Sequence, residues 1–174
     1  MTGQDVQVEE APACFVCEKH RLGDDAPGGI LFRDDLVYAG HAFDPAGATS
    51  AYRGYLMVEP LRHVAGLGGL TDDEAMRLGW LVNRLSGLQR AVLGADHVYA
   101  FVFGGAPPSR RTPDHLHVHL APRYPETPPE FRGPTVTRWP DAPRVDADQM
   151  RALVARLRSE AQPALGTGRE PTAE

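Results

Sequence analysis

The chain has 174 residues, enough for one domain with a real hydrophobic core. Its formal net charge of −5 offers no basic field to attract nucleic acid, and no apolar run is long enough to span a membrane. The polar, acidic start from Met1 to Ala11 lacks the pattern of a signal peptide, so the sequence predicts a soluble cytoplasmic protein.

Residues 1–11 read as disordered. Cys14 and Cys17 follow at CxxC spacing, which in such a chain points to metal or redox chemistry rather than a structural disulfide. A CxxC alone is half a zinc site. A redox pair would open a helix after a strand, and nothing before residue 14 supplies that strand. Two ordinary cysteines near a mobile terminus are the plain alternative. Ala26 to Gly29 is a turn. Ile30–Arg33 reads as a short strand, Asp34-Asp35 as a turn, and Leu36–Phe43 as its hairpin partner. The loop from Asp44 to Ala51 is rich in Gly, Pro and Ser, with Asp44 suited to start a turn before Pro45. Gly54–Pro60 is the next strand, and His63 falls just past it, where it either reaches a metal or sits on the surface.

Thr71-Asp72-Asp73-Glu74 is a capping box with acids in the first turn. Leu78, Leu81, Val82, Leu85, Leu88 and Val92 follow at three- and four-residue spacing, which predicts a long amphipathic helix ending at Gly94. Trp80 within it reads as a core or partner-facing residue. His97–Phe103 is a strand rich in β-formers. A loop with Arg111 and Thr112 then leads to His115-Leu116-His117-Val118-His119-Leu120.

That stretch alternates with period two, so Leu116, Val118 and Leu120 should face a core and the three histidines the other side. Pro122 should end the strand. Three of the chain's seven histidines stand here, where Thr, Lys or Glu would serve a merely solvated face equally well. Imidazole is a nucleophile, a general base and a metal ligand near neutral pH. The row is therefore either a metal site with ligands from elsewhere, or a nucleophile flanked by groups that orient it and hold an anion. The chain then becomes Pro-rich to Pro143, an irregular stretch that hugs a surface, covering a site mouth or a subunit interface. Asp146-Ala147-Asp148-Gln149 is a second capping box, opening a helix with Met150, Leu153, Val154 and Leu157 on one face. Residues 163–174 read as a disordered tail, leaving residues 12–162 as one domain.

The run His115-Leu116-His117-Val118-His119-Leu120-Ala121-Pro122-Arg123 resembles the His-x-His-x-His motif of the histidine triad (HIT) family, with apolar x. Upstream, Gly54-Tyr55-Leu56-Met57-Val58-Glu59-Pro60-Leu61-Arg62-His63 is similar to that family's Gly-His strand ending in Pro-x-x-His. The similar segments run from about Cys14 to Arg123. The pattern of strands, long helix, strands and late helix predicts an α+β fold. The resemblance implies an antiparallel sheet of about five strands with one long helix packed on it, a C-terminal helix, and a homodimer.

The resemblance also implies chemistry. His117 would attack the α-phosphorus of a dinucleoside polyphosphate or nucleoside phosphoramidate, forming a covalent nucleotidyl-histidine that water hydrolyses. His119 would hold phosphoryl oxygens and His115 would orient the site. A structural zinc would be bound by Cys14, Cys17, His63 and His115, with His20 a rival for one ligand place. No magnesium or organic cofactor is required. Asp44 is the candidate for the ribose hydroxyls. Thr112 matches the family's hydroxyl position, and Arg111 replaces a glutamine on the leaving-group side, where it would grip phosphate or simply be a solvated loop charge. Tyr55 stands where the family has a histidine; it can hydrogen-bond in the site but cannot carry positive charge. Two other functions fit the same residues. One is a nucleotidyltransferase or phosphorylase using His117 with Arg111 binding the acceptor. The other is a nucleotide- or partner-binding module with little catalysis.

Overall fold

A computed structural model of the chain describes residues 14–43, 49–102 and 114–165. Asp44, Arg111 and Thr112, the segment 1–11 and the end of the tail beyond Leu165 lie outside these residues. The architecture is α+β. Strands β1 (Phe32–Arg33), β2 (Val37–His41), β4 (Leu56–Pro60), β5 (His97–Phe101) and β6 (Val118–Arg123) form a five-stranded antiparallel sheet in the order β1-β2-β4-β6-β5. Two short strands, β3 (Ala51–Tyr52) and β7 (Arg144–Val145), pair with each other in a second small sheet. Helix α1 (Phe15–Leu22) precedes the sheet, α2 (Asp72–Leu93) links β4 to β5, and α3 (Ala147–Leu165) closes the chain.

Local chemistry sets the long helix. Thr71 Oγ1 accepts from the Glu74 N–H, and Glu74 Oε2 accepts from the Thr71 N–H, satisfying two donors that the first turn leaves open. Gly94 ends the helix at φ +73°, a conformation that a side chain disfavours. Leu78, Leu81 and Leu85 are buried against the sheet, while Val82, Leu88 and Val92 are partly buried beside them. On β6 and the segment before it, Leu116, Val118 and Leu120 point into this same core. Helix α3 packs on α2 and β2 through Met150, Leu153, Val154 and Leu157. Its cap is the reciprocal bond pair between Asp146 and Gln149.

Several boundaries differ from the pattern in the sequence: β1, β2 and β4 are shorter than the runs Ile30–Arg33, Leu36–Phe43 and Gly54–Pro60, and α3 continues to Leu165, into the stretch that reads as a disordered tail from residue 163. The triad strand begins only at Val118, so His115 and His117 lie on extended chain leading into it. It also runs through Pro122 to Arg123. Its pairing with β4 stops at Leu120, while β5 continues alongside as far as Arg123. Beyond Leu120 the strand thus has a neighbour on one side only, where a missing proline N–H is tolerated. The Pro-rich stretch is irregular, with single 3-10 turns at 129–131 and 136–138, before it ends in β7.

Candidate active site and metal centre

Four predicted ligands come together at one end of the triad segment. Cys14 caps the N-terminus of α1 and Cys17 stands in its first turn, an arrangement that brings both sulfurs to one side. His63 and His115 complete the group, and the four ligand atoms lie within 4.8 Å of one another. The Cys17 sulfur is 3.4 Å from His63 Nδ1 and 3.5 Å from His115 Nδ1, and the Cys14 sulfur is 3.5 Å from His115 Nδ1. Tetrahedral zinc, with Zn–S of about 2.3 Å and Zn–N of about 2.0–2.1 Å, places its sulfur and nitrogen ligands about 3.5 Å apart. The residues present fit the ion. His20, the rival ligand, is not in the group: its Nε2 is 2.8 Å from Glu59 Oε2.

The tautomer of His115 agrees with this role. Its Nε2 lies 2.9 Å from the Pro60 carbonyl, which can only accept, so the ring proton is on Nε2 and the Nδ1 lone pair faces the sulfurs. Burial holds His115 below the ordinary imidazole pKa. Without a cation, burial and then the adjacent Cys14 push the Cys17 thiol up to about 11, the reverse of what a divalent ion does to a bound thiol.

His117, two residues on, is set the opposite way. Its Nδ1 lies 2.7 Å from the His115 carbonyl, so Nδ1 carries the proton and Nε2 keeps the lone pair. Two aromatic rings lie against His119. Phe101 stacks on it at 5.1 Å between centroids, and Tyr55 lies nearly parallel to it at 5.5 Å. The Tyr55 hydroxyl is 2.5 Å from His119 Nδ1. Burial raises the Tyr55 phenol above its ordinary value, so the hydroxyl donates and the neutral His119 ring keeps its proton on Nε2. Burial, then the neighbouring His117, push His119 down to about 4.

A cavity of about 420 Å³ opens in front of His117 and His119, a volume suited to a small organic ligand. Phe15, Val16, Phe43 and Met57 supply an apolar wall, and Lys19, Tyr55 and Arg144 supply polar points. Phe15 and Phe43 meet edge to face at 5.6 Å. The Pro-rich stretch reaches this cavity through Thr137, and β7 reaches it through Arg144.

Several residues that the sequence did not single out hold this arrangement. Glu59 of β4 is fully buried and takes Lys19 at 2.5 Å on one oxygen and His20 on the other, joining α1 to the sheet. Burial opposes its charge, but Lys19 and His20 outweigh that and hold its pKa below the carboxylate range. The same helix carries both cysteines and one wall of the cavity, so Glu59 positions both. His41 is buried with both ring nitrogens satisfied in the neutral form: Nδ1 donates to the Ala42 carbonyl at 2.7 Å and Nε2 accepts from the Gly54 N–H at 3.0 Å. Gly54 adopts φ +74°, and a Cβ there would lie 2.3 Å from Leu93 Cδ1. Gln89 of α2, fully buried, donates to the Gly54 carbonyl at 2.7 Å and the Leu120 carbonyl at 3.0 Å. Together these bonds fix the turn that presents Tyr55 to His119. The only signals in the sequence were an acid inside an apolar strand and an amide on the apolar side of a helix.

No protein-family model matches the chain, and no curated protein matches it. Solved structures do. A hypothetical histidine triad nucleotide-binding protein from Sulfolobus tokodaii aligns with a TM-score of 0.62 at 17% identity, over 90% of this chain and 99% of that one. A zinc-bound histidine triad family protein from Mycobacterium smegmatis aligns with a TM-score of 0.55 at 22% identity, over 84% and 96%. The Plasmodium falciparum diadenosine triphosphate hydrolase aligns with a TM-score of 0.57 at 14% identity, over 79% and 78%. The chain spans 27% of the longer C. elegans NitFhit protein. The expected resemblance thus reappears in three dimensions: the chain has the fold of the histidine triad proteins.

Proposed function

We propose that this chain of histidine triad fold is a nucleotide hydrolase acting at an α-phosphorus. The observation that carries the reading is the tautomer of His117: its Nδ1–H is bonded to the His115 carbonyl, so the reactive lone pair is on Nε2, on a residue that lines the cavity. The diadenosine triphosphate hydrolase among the similar structures supports the same reaction class. His117 Nε2 attacks the α-phosphorus of a dinucleoside polyphosphate or phosphoramidate, and the P–O or P–N bond to the leaving group breaks. The leaving group departs with the electron pair of that bond and takes a proton from solvent. Water then attacks the phosphorus, the P–Nε2 bond breaks, and a nucleoside monophosphate leaves. His119 would help hold the phosphoryl oxygens, with Tyr55 fixing its ring. The apolar wall of Phe15, Val16 and Phe43 receives the base.

Cys14, Cys17, His63 and His115 would hold zinc. The ion would supply a cross-link between α1 and the triad segment rather than a ligand for substrate. Because His117 is anchored on the backbone of His115, that cross-link would set the height of the nucleophile. Asp44, Arg111 and Thr112 are assigned to the ribose and phosphates on the resemblance alone. A homodimer in the cytoplasm belongs to the same proposal; among the described residues no helix is long and apolar enough to cross a membrane.

The test is turnover of diadenosine polyphosphates and adenosine phosphoramidate by wild type and His117→Ala. The variant should lose activity by about 10⁴-fold or more while its melting temperature and zinc content stay unchanged. Equal activity in both contradicts the assignment. Tyr55 in place of a histidine favours a second reading, a nucleotide-binding module. That reading requires AMP to bind the wild type while none of these esters is cleaved.

A further inference from the structure

Next to the histidine cavity a second depression, about 400 Å³, opens between the β3–β4 turn, β7 and the start of α3. Arg53, Arg144 and Arg156 line it over an apolar floor of Val145 and Leu153. Arg144 also lines the histidine cavity, so the two spaces share that residue. The chain carries 23 acids against 18 bases, and several arginines elsewhere are in ion pairs: Arg62 with Glu74, Arg77 with Asp34, Arg123 with Asp96. Here they are not. Arg144 Nε donates to the Ser50 hydroxyl at 3.3 Å, Arg156 donates to the Val92 carbonyl at 3.4 Å, and Arg53 lies over the Tyr124 ring at 5.8 Å. All three partners are neutral, and among the described residues none of the three arginines is in an ion pair. The nearby Asp146 is engaged in capping α3.

Three like charges around one depression repel one another unless an anion joins them. Guanidinium groups suit phosphate in particular, since each can give two parallel N–H bonds to its oxygens. We propose that this groove binds the phosphate chain of the leaving group as it runs out of the histidine cavity past Arg144. The substrate class is then a nucleoside polyphosphate whose leaving group carries two or more phosphates, not a nucleotide with an amine leaving group. The assignment rests on the hydrolase reading above for its reaction, and on the arginine cluster for its specificity.

The experiment compares two substrates that share the adenylyl group, diadenosine tetraphosphate and adenosine 5′-phosphoramidate. They are tested on wild type, Arg53→Ala/Arg156→Ala and Arg53→Lys/Arg156→Lys. These two arginines lie outside the histidine cavity. The alanine pair should raise KM for the tetraphosphate by at least about tenfold and leave kcat/KM for the phosphoramidate within about twofold. The lysine pair should recover part of the loss, keeping charge without the bidentate fork. Equal losses on both substrates, or no loss on either, overturn the proposal. If wild type cleaves neither substrate, the hydrolase reading fails, and titration with inorganic tripolyphosphate still decides the groove. Binding by wild type that the alanine pair loses upholds an anion site; no binding by wild type overturns it.

Discussion

His115 and His117 are two residues apart, identical in chemistry and opposite in use. His115 has both nitrogens engaged, Nε2 on the Pro60 carbonyl and Nδ1 against the two sulfurs. His117 has one nitrogen engaged, Nδ1 on the carbonyl of His115 itself, and presents the other to a cavity. The difference is made by the backbone. A carbonyl placed against one nitrogen forces the proton there and leaves the lone pair on the other. On the proposed reading one end of the segment would hold the chain together and the other would react, with the first anchoring the second.

The sharpest way to break this comparison is to dismantle the holding end. Cys17→Ser, or a strong chelator, should release zinc and destabilise the fold by several kcal/mol, lowering the melting temperature by about 10 °C. Activity should fall with it, because the carbonyl that orients His117 belongs to a proposed zinc ligand. Unchanged turnover in metal-free protein would show that the two ends are independent. Breaking the tie between α1 and β4 is the next largest effect. Glu59→Gln leaves Lys19 buried without its counter-charge and should cost about 3–5 kcal/mol, read from chemical denaturation. Zinc affinity should weaken too, since α1 carries both cysteines.

Acid acts on the reacting end. His41, which fixes the Gly54 turn, is pushed by burial from 6.5 down to about 4. The unfolded chain therefore takes up this proton first. The contribution to stability is whole above pH 6.5 and is lost as the pH falls toward 4, ~3 kcal/mol over that window. His119, also pushed down to about 4, adds to the slope in the same direction. Melting temperatures from pH 7 to pH 4 should fall steeply in wild type and less steeply in His41→Leu; equal slopes would contradict the role given to His41. The smallest effect is at Tyr55. Tyr55→Phe removes the bond to His119 Nδ1 and should lower kcat about tenfold, with KM little changed. A fall confined to KM would place Tyr55 in substrate binding instead.

Much of the scaffold is legible in the sequence because it is written locally. The Thr71–Glu74 box and the leucine spacing specify α2, and the alternation around Val118 specifies which face is core. The gathering of Cys14, Cys17, His63 and His115 is legible only through family resemblance, since no local period connects residues about a hundred positions apart. Helix α1 has eight residues and no long apolar repeat, and β3 and β7 have two residues each, too short for any pattern. The Lys19–Glu59–His20 cluster was not legible for a different reason. A carboxylate inside the apolar strand Leu56–Pro60 contradicts its surroundings until the fold brings α1 against it. Gln89 is similar: only the packed helix shows that its amide bridges two carbonyls.

The measurement closest to the central claim is intact mass after brief exposure to diadenosine polyphosphates and nucleoside phosphoramidates, wild type beside His117→Ala. A mass increase of one nucleotidyl group on wild type alone, mapped to His117, is the predicted result. Substrate cleavage with no adduct at any time point, or an adduct that persists in His117→Ala, would contradict a nucleophile held in place by the carbonyl of His115.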